Sequence, residues 1–263
     1  MLKRVLSTAV LLPLFILVLV AAPPAVFIAL VVAVSAAAAW ELGRMFQRAG
    51  RPAYPRLGVA AAFAVTLSFA VSGASVIVLT GVVMLVMSAP VWGGAPLSIE
   101  PVAVGLLAAV YVGWPLGHAV LLRELPEGAW LVLFLVGVTW AGESAAYLVG
   151  SAVGRHRLAP VISPAKTMEG AIAQLVVSVI SALILGRWLL TAWPATFTAG
   201  AGAFLGAMGQ LGDLAESVVK RSLGTKDTGA LIPGHGGVLD RIDSLLFNVP
   251  SFYYYVKLWG ATS

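Results

Sequence analysis

Nine stretches of 17 to 23 residues run through this chain almost without charge. Segments of that length and character are buried either in a very large core or in a bilayer, whose hydrocarbon takes about 20 apolar residues per helix. They cover 5–22, 24–40, 57–73, 75–92, 103–122, 129–150, 171–193, 195–215 and 244–260. Composition excludes the first alternative: 263 residues that are 60% hydrophobic and 10% charged lie far from the roughly 45–50% and 25% of a soluble domain. The expected fold is an all-α polytopic integral membrane protein with about nine transmembrane helices and a polar site facing the cytosol. Lys3 and Arg4 ahead of the first stretch resemble a secretion signal, but the apolar run exceeds a signal core, so a retained first helix is expected.

The distribution of positive charge orients the spans. With the N-terminus inside, 13 of the 16 Lys and Arg fall on the cytoplasmic side, and the opposite threading leaves only Arg123, Arg187 and Lys257 there. Trp40, Trp92, Trp130, Trp193 and Trp259 fall near span ends, where indole rings suit the headgroup zone. No internal repeat or linker interrupts residues 1–263, so a single membrane domain is expected, with polar motif segments at 153–170 and 213–244. The chain has no cysteine, which removes disulfides, thiolate nucleophiles and thiolate metal sites from consideration.

Residues 217–244 read SVVKRSLGTKDTGALIPGHGGVLDRIDS and concentrate charge beside apolar sequence. Just ahead of them, helical spacing puts Asp213, Glu216 or Ser217, and Lys220 on one face. Gly206, Gly209 and Gly212 on the same helix allow close packing in the membrane, with no functional reading required. An acid at the end of an apolar span calls for a cation or a cavity, which makes Asp213 a functional candidate, with a salt bridge to one lysine as the alternative. Asp240 and Asp243 share a face at the start of the last span, where they favour a helix N-terminus or join a metal site. Carboxylates from two helix ends, without sulfur, suit a hard cation such as Mg²⁺.

The glycines between those helix ends permit backbone N–H groups to approach phosphate, although the P-loop pattern is absent. Lys220, Arg221, Lys226 and Arg241 strengthen a phosphate reading. Between 213 and 243 these four cations face five anions, Asp213, Glu216, Asp227, Asp240 and Asp243, a balance foreign to a basic patch for nucleic acid and natural for metal plus polyphosphate. His235 either contacts phosphate or orders the loop. A second polar segment, GRHRLAPVISPAKTMEG at 154–170, offers Arg155, Arg157, Lys166 and Thr167 after a prolyl turn at Ser163-Pro164. Glu143, inside a span, is a further candidate or a buried ion-pair partner.

SVVKRSLGTKDTGALIPGHGGVLDRID closely resembles the C-terminal signature of phosphatidate cytidylyltransferases, also called CDP-diacylglycerol synthases. SPAKTMEG is similar to that family's SPKKTxEG segment. The resemblance implies that CTP and phosphatidate give CDP-diacylglycerol and pyrophosphate, with Mg²⁺, in a homodimer of a bacterial inner membrane, with no nucleic-acid partner. It implies metal binding by Asp213 and Asp240, with Lys220 and Lys226 beside them in the catalytic set. Ser163, Lys166, Thr167, Ser217, Arg221, Asp227, His235, Arg241 and Asp243 are implied as substrate contacts. Two positions depart from the pattern: Glu143 stands where the family commonly has Asp, and Ala165 replaces a lysine. An ion-coupled carrier and a CTP-dependent lipid kinase are the rival readings, and reaction products separate them.

Overall fold

The computed structural model describes residues 13–93, 98–229 and 236–262. It is helical almost throughout. Residues 13–20 form the described part of α1. There follow α2 (Pro24–Arg48), α3 (Pro55–Ser68), α4 (Ala74–Gly93) and α5 (Glu100–Glu124), the last containing a π-helical turn over Ala108–Gly113. After α6 (Gly128–Val153) come the strands β1 (Arg157–Ala159) and β2 (Ser163–Thr167), then α7 (Met168–Leu189), α8 (Ala195–Ser222) and α9 (Leu239–Thr262). Prolines open several helices at positions where a missing N–H costs nothing: Pro24 in α2, Pro55 in α3 and Pro101 in α5.

Among the described residues each apolar stretch overlaps one of these helices, and the chain is a predominantly helical membrane protein. Five helices among the described residues are long and apolar enough to cross a membrane: α2, α4 over Ala74–Val91, α5, α6 and α7. Pro55–Ser68 is apolar but short, while α8 is diluted by glycines and Gln210 and α9 carries Asp240, Arg241, Asp243 and Lys257. Large side chains such as Ile77, Leu85 and Trp188 are 74%, 64% and 80% exposed on helix faces, a surface suited to lipid or to another helix.

Two compact units make up the chain, Met1–Leu121 with Ser222–Ile242, and Leu122–Arg221 with Asp243–Ser263. In the first, α2 packs on α3 and both meet α5. A buried polar relay runs from Ser35 to Thr66, 2.8 Å apart, and Thr66 donates to the Gly113 carbonyl at the end of the π turn at 3.0 Å. In the second unit, α6 and α7 cross closely because glycines remove side chains from the crossing. A Cβ on Gly170 would sit 2.7 Å from the Ala146 carbonyl oxygen. Gly206, Gly209 and Gly212 of α8 do the same work: a Cβ on Gly212 would lie 2.7 Å from the Asp243 carbonyl and 3.1 Å from the Ser244 Cα of α9.

The polar segment at 154–170 folds as a hairpin. Arg157 pairs with Thr167 and Ala159 with Ser163 in antiparallel register, so the turn lies at Pro160–Ile162 and Ser163-Pro164 is extended strand, a correction to the prolyl turn read at that dipeptide. In a two-stranded hairpin each strand has an open edge, so Pro164 forfeits no ladder bond there. Thr167 ends the strand and caps α7, its Oγ1 accepting from the Gly170 N–H at 3.1 Å. Glu169, in the first turn, accepts from the His156 ring at 2.7 Å and closes the hairpin onto the helix.

Candidate functional site

In the second unit a cavity of about 550 Å³ opens between α6, the hairpin, α7 and α8. Glu143, Ala146, Tyr147 and Gly150 line it from α6, Arg157, Ala165, Lys166 and Thr167 from the hairpin, Gly170 and Gln174 from α7, and Gln210 and Asp213 from α8. Polar groups converge on a largely apolar concavity, which is the ordinary form of a small-molecule site. Across it, Lys166 Nζ meets Asp213 Oδ2 at 2.7 Å, with side chains 23% and 36% exposed. The ammonium therefore comes from the hairpin and from no position one turn along α8. Gln210, one turn before Asp213, donates to the Ala171 carbonyl at 2.7 Å and ties α8 to α7.

The rest of the α8 stripe is internally arranged. Lys220 pairs with Glu216 at 2.6 Å, and that carboxylate is fully buried. Ser217 is 5% exposed. Arg221 reaches back to the hairpin turn, its Nε donating to the Ile162 carbonyl at 3.2 Å. Asp243, in the first turns of α9, has Oδ1 on its neighbour's Ser244 N–H at 2.7 Å. Ser163 is partly exposed on β2, and Glu143 and Ala165, the two departures from the family pattern, both face the cavity.

The first unit holds the other part of the signature. Asp240 sits in the first turn of α9, and three hydrogen bonds converge on its Oδ2: the Thr228 N–H at 3.1 Å, the Thr228 hydroxyl at 2.9 Å and the Gly237 N–H at 3.1 Å. Lys226, Asp227 and Arg241 are exposed. Gly236 has φ +85°, which explains why a glycine stands there. His235 lies outside the described residues.

Glu41 is the residue that reading the sequence missed. It lies near the end of α2 with 3% exposure, and its Oε2 accepts from the Leu239 N–H at 2.9 Å and faces the Thr228 hydroxyl at 3.4 Å. The signal available was an acid in an otherwise basic stretch, WELGRMFQR, but the apolar run ends at Trp40 and makes Glu41 look interfacial.

The model of the cytidylyltransferase family matches residues 2–259. The chain belongs to the cytidylyltransferase family. It is 38% identical over 155 residues to a phosphatidate cytidylyltransferase of Bacillus subtilis, covering 59% of this chain and 58% of that one. It is 40% identical over 153 residues to one of Staphylococcus saprophyticus, covering 55% of each. An Escherichia coli protein named YnbB, uncharacterized, is 42% identical over 161 residues, 57% of this chain and 54% of its own. The chain thus spans little more than half the length of these relatives.

Proposed function

We propose that this protein transfers the cytidylyl group of CTP to phosphatidate, giving CDP-diacylglycerol and pyrophosphate for phospholipid synthesis. The carrying observation is a cavity in a membrane helix bundle where Lys166, Arg157 and Asp213 converge, in a chain of the cytidylyltransferase family. The names of the Bacillus and Staphylococcus relatives support the same substrates.

Phosphatidate carries a phosphate monoester whose second pKa is about 6, so it is already an anionic nucleophile at neutral pH and needs no dedicated base. Its oxygen forms a bond to the α-phosphorus of CTP, and the bond from that phosphorus to the bridging oxygen of the β-phosphate breaks, releasing pyrophosphate. The chain's task is to bring two anions together and to hold the charge that builds on the leaving group. Lys166 and Arg157 at the cavity, and Lys220, Arg221, Lys226 and Arg241 on the signature segment, are assigned to those phosphates. Ser163, Thr167, Ser217, Asp227, His235 and Asp243 complete the proposed substrate contacts, Thr167 in addition to its capping role.

Asp213 and Asp240 are the carboxylates proposed for Mg²⁺. An all-oxygen donor set fits this ion, which takes one or two carboxylates together with phosphate oxygens and water. Among the described residues no three acids or histidines are grouped as a cage, and a site completed by substrate phosphates needs none. When bound, Mg²⁺ would neutralise phosphate charge. Asp213 is about a third exposed and paired with Lys166, while Asp240 is oriented by Thr228 and Gly237.

The nine-span threading, a cytoplasmic N-terminus and active site, and a homodimer belong to the same proposal. Supporting them are the basic residues clustered on alternate connections and the family resemblance. Purified protein incubated with labelled CTP, phosphatidate and Mg²⁺ tests the reaction. Labelled CDP-diacylglycerol and pyrophosphate are expected, with Asp213→Asn and Asp240→Asn each at least about 100-fold slower. Formation of CDP with a phosphorylated lipid would overturn the reading, and full activity in both variants would remove the metal assignment.

A further inference from the structure

We propose that Glu41 is a positioning residue that holds the head of α9 and, through it, the orientation of Asp240. The inference rests on the reading of Asp240 as a metal-binding acid. Its geometry lies entirely within the first unit.

Helix N-termini present N–H groups with no partner inside the helix, together with the positive end of the helix dipole. In α9 the Leu239 N–H is met by a carboxylate from α2: Glu41 Oε2 accepts it at 2.9 Å. Glu41 and Leu239 are both buried, at 3% and 0% exposure, so water does not screen this contact. The same oxygen faces the Thr228 hydroxyl at 3.4 Å, and that hydroxyl makes its shorter bond, 2.9 Å, to Asp240 Oδ2. Thr228 itself is fully buried. The hydroxyl has one proton and gives it to Asp240, so Glu41 reaches Asp240 through the Leu239 N–H one residue before it, while the Thr228 and Gly237 N–H groups add two further bonds to the same Asp240 oxygen. Three bonds on one oxygen fix the plane of the carboxylate and leave its other oxygen in a set direction.

Two signature glycines serve this arrangement. A Cβ on Gly229 would lie 2.6 Å from Glu41 Oε1, and one on Gly237 would lie 2.6 Å from Oε2. The carboxylate occupies the space that side chains at these positions would need, so the glycines are explained by Glu41 and require no phosphate. A charged group near the end of an apolar helix is costly unless it is partnered, and it marks a functional position more often than a packing one. Groups that orient a metal ligand from behind typically change metal affinity about 10–100-fold when removed.

The experiment compares wild type with Glu41→Gln, Thr228→Val, Thr228→Ser and the Glu41→Gln/Thr228→Val double variant, all in detergent. Mn²⁺ binding is followed by electron paramagnetic resonance with and without CTP, CTP turnover is followed against Mg²⁺, and hydrogen exchange is followed in peptides spanning 236–242. Glu41→Gln and Thr228→Val are each expected to raise the Mn²⁺ midpoint about 10-fold. Thr228→Val removes a direct bond to Asp240 and Glu41→Gln acts through the Leu239 N–H, so the double variant should be weaker than either single. Thr228→Ser keeps the hydroxyl and should restore the midpoint, and Glu41→Gln should speed exchange over 236–242. A merely structural Glu41 would lower the melting temperature and leave the midpoint unmoved, which overturns the proposal, as does unchanged exchange in Glu41→Gln. If Glu41→Gln does not fold, Glu41→Asp, which shortens the reach to the Leu239 N–H, decides by the same midpoint. A wild type that shows the Mn²⁺ and exchange pattern without turning over CTP sinks the proposed reaction and leaves the role of Glu41 standing, whereas a wild type that binds no Mn²⁺ in either condition overturns it.

Discussion

Lys166 and Asp213 meet at 2.7 Å with their side chains a quarter to a third exposed, and that combination separates chemistry from stability. An ion pair in contact with solvent contributes about 0–1 kcal/mol to folding, because the charges are screened and two long side chains lose freedom. The same ammonium facing a polyphosphate gains from each anionic oxygen it meets. Lys166→Met is therefore expected to slow CTP turnover at least about 10-fold while lowering the melting temperature by less than about 4 °C. A thermal melt beside a turnover assay checks both halves, and a large melting shift with normal turnover would reverse the assignment. At this scale the sequence revealed that Asp213 needs a cation, since a charge at a span end is costly alone. It did not reveal which one, because helical spacing offered Lys220 and that lysine is taken by Glu216 one turn away. Glu41 was invisible for a similar reason: its Leu239 partner is 198 residues distant, and no periodicity reports a contact of that range.

The helices were legible because burial in lipid demands a long apolar run, and the run itself is the signal. The hairpin was not: three and five residues of strand are too short for alternation to stand out, and Pro164 argues for a turn until the open edge of β2 is seen. Packing at the helix crossings was legible through glycine spacing, and it carries a prediction. Gly212→Val would drive a branched side chain into the Asp243 carbonyl, 2.7 Å from the first added carbon, where backbone of α9 cannot give way as a side-chain tip would. Overpacking of this kind costs about 1–3 kcal/mol. A lower melting temperature in detergent is expected, with turnover reduced because Asp213 is the next residue along α8. Gly81→Ala in α4 is the matched control. A Cβ there meets nothing within 4 Å, and alanine favours a helix over glycine, so the melt should stay level or rise. Equal destabilisation of the two variants would show that loss of glycine, and no clash, is responsible.

Over the whole molecule, membership of the family rests on residues 2–259, while orientation in the bilayer rests on charge alone. The proposed threading puts the connection after α6 and the signature segment on the cytoplasmic side, with the α5–α6 connection opposite. A cysteine-free chain makes this directly measurable, since each introduced thiol is the sole target for a maleimide. Arg155 and Lys226 are exposed in the two motif segments, and Glu124 is exposed at the end of α5, so cysteine at each reports one connection without disturbing a buried contact. In cells treated with a membrane-impermeant maleimide, Glu124→Cys should label and Arg155→Cys and Lys226→Cys should not; in inverted vesicles the pattern should reverse. The chemistry makes the outcome decisive. CTP is a polyanion that does not cross lipid, and a site fed by cytosolic nucleotide has to open on that side. Labelling of both Arg155→Cys and Lys226→Cys from outside intact cells would refute the threading and remove the supply of CTP that the proposed reaction depends on. Labelling of those two thiols from opposite sides would refute the threading as well, because that threading puts both motif segments on one side of the membrane.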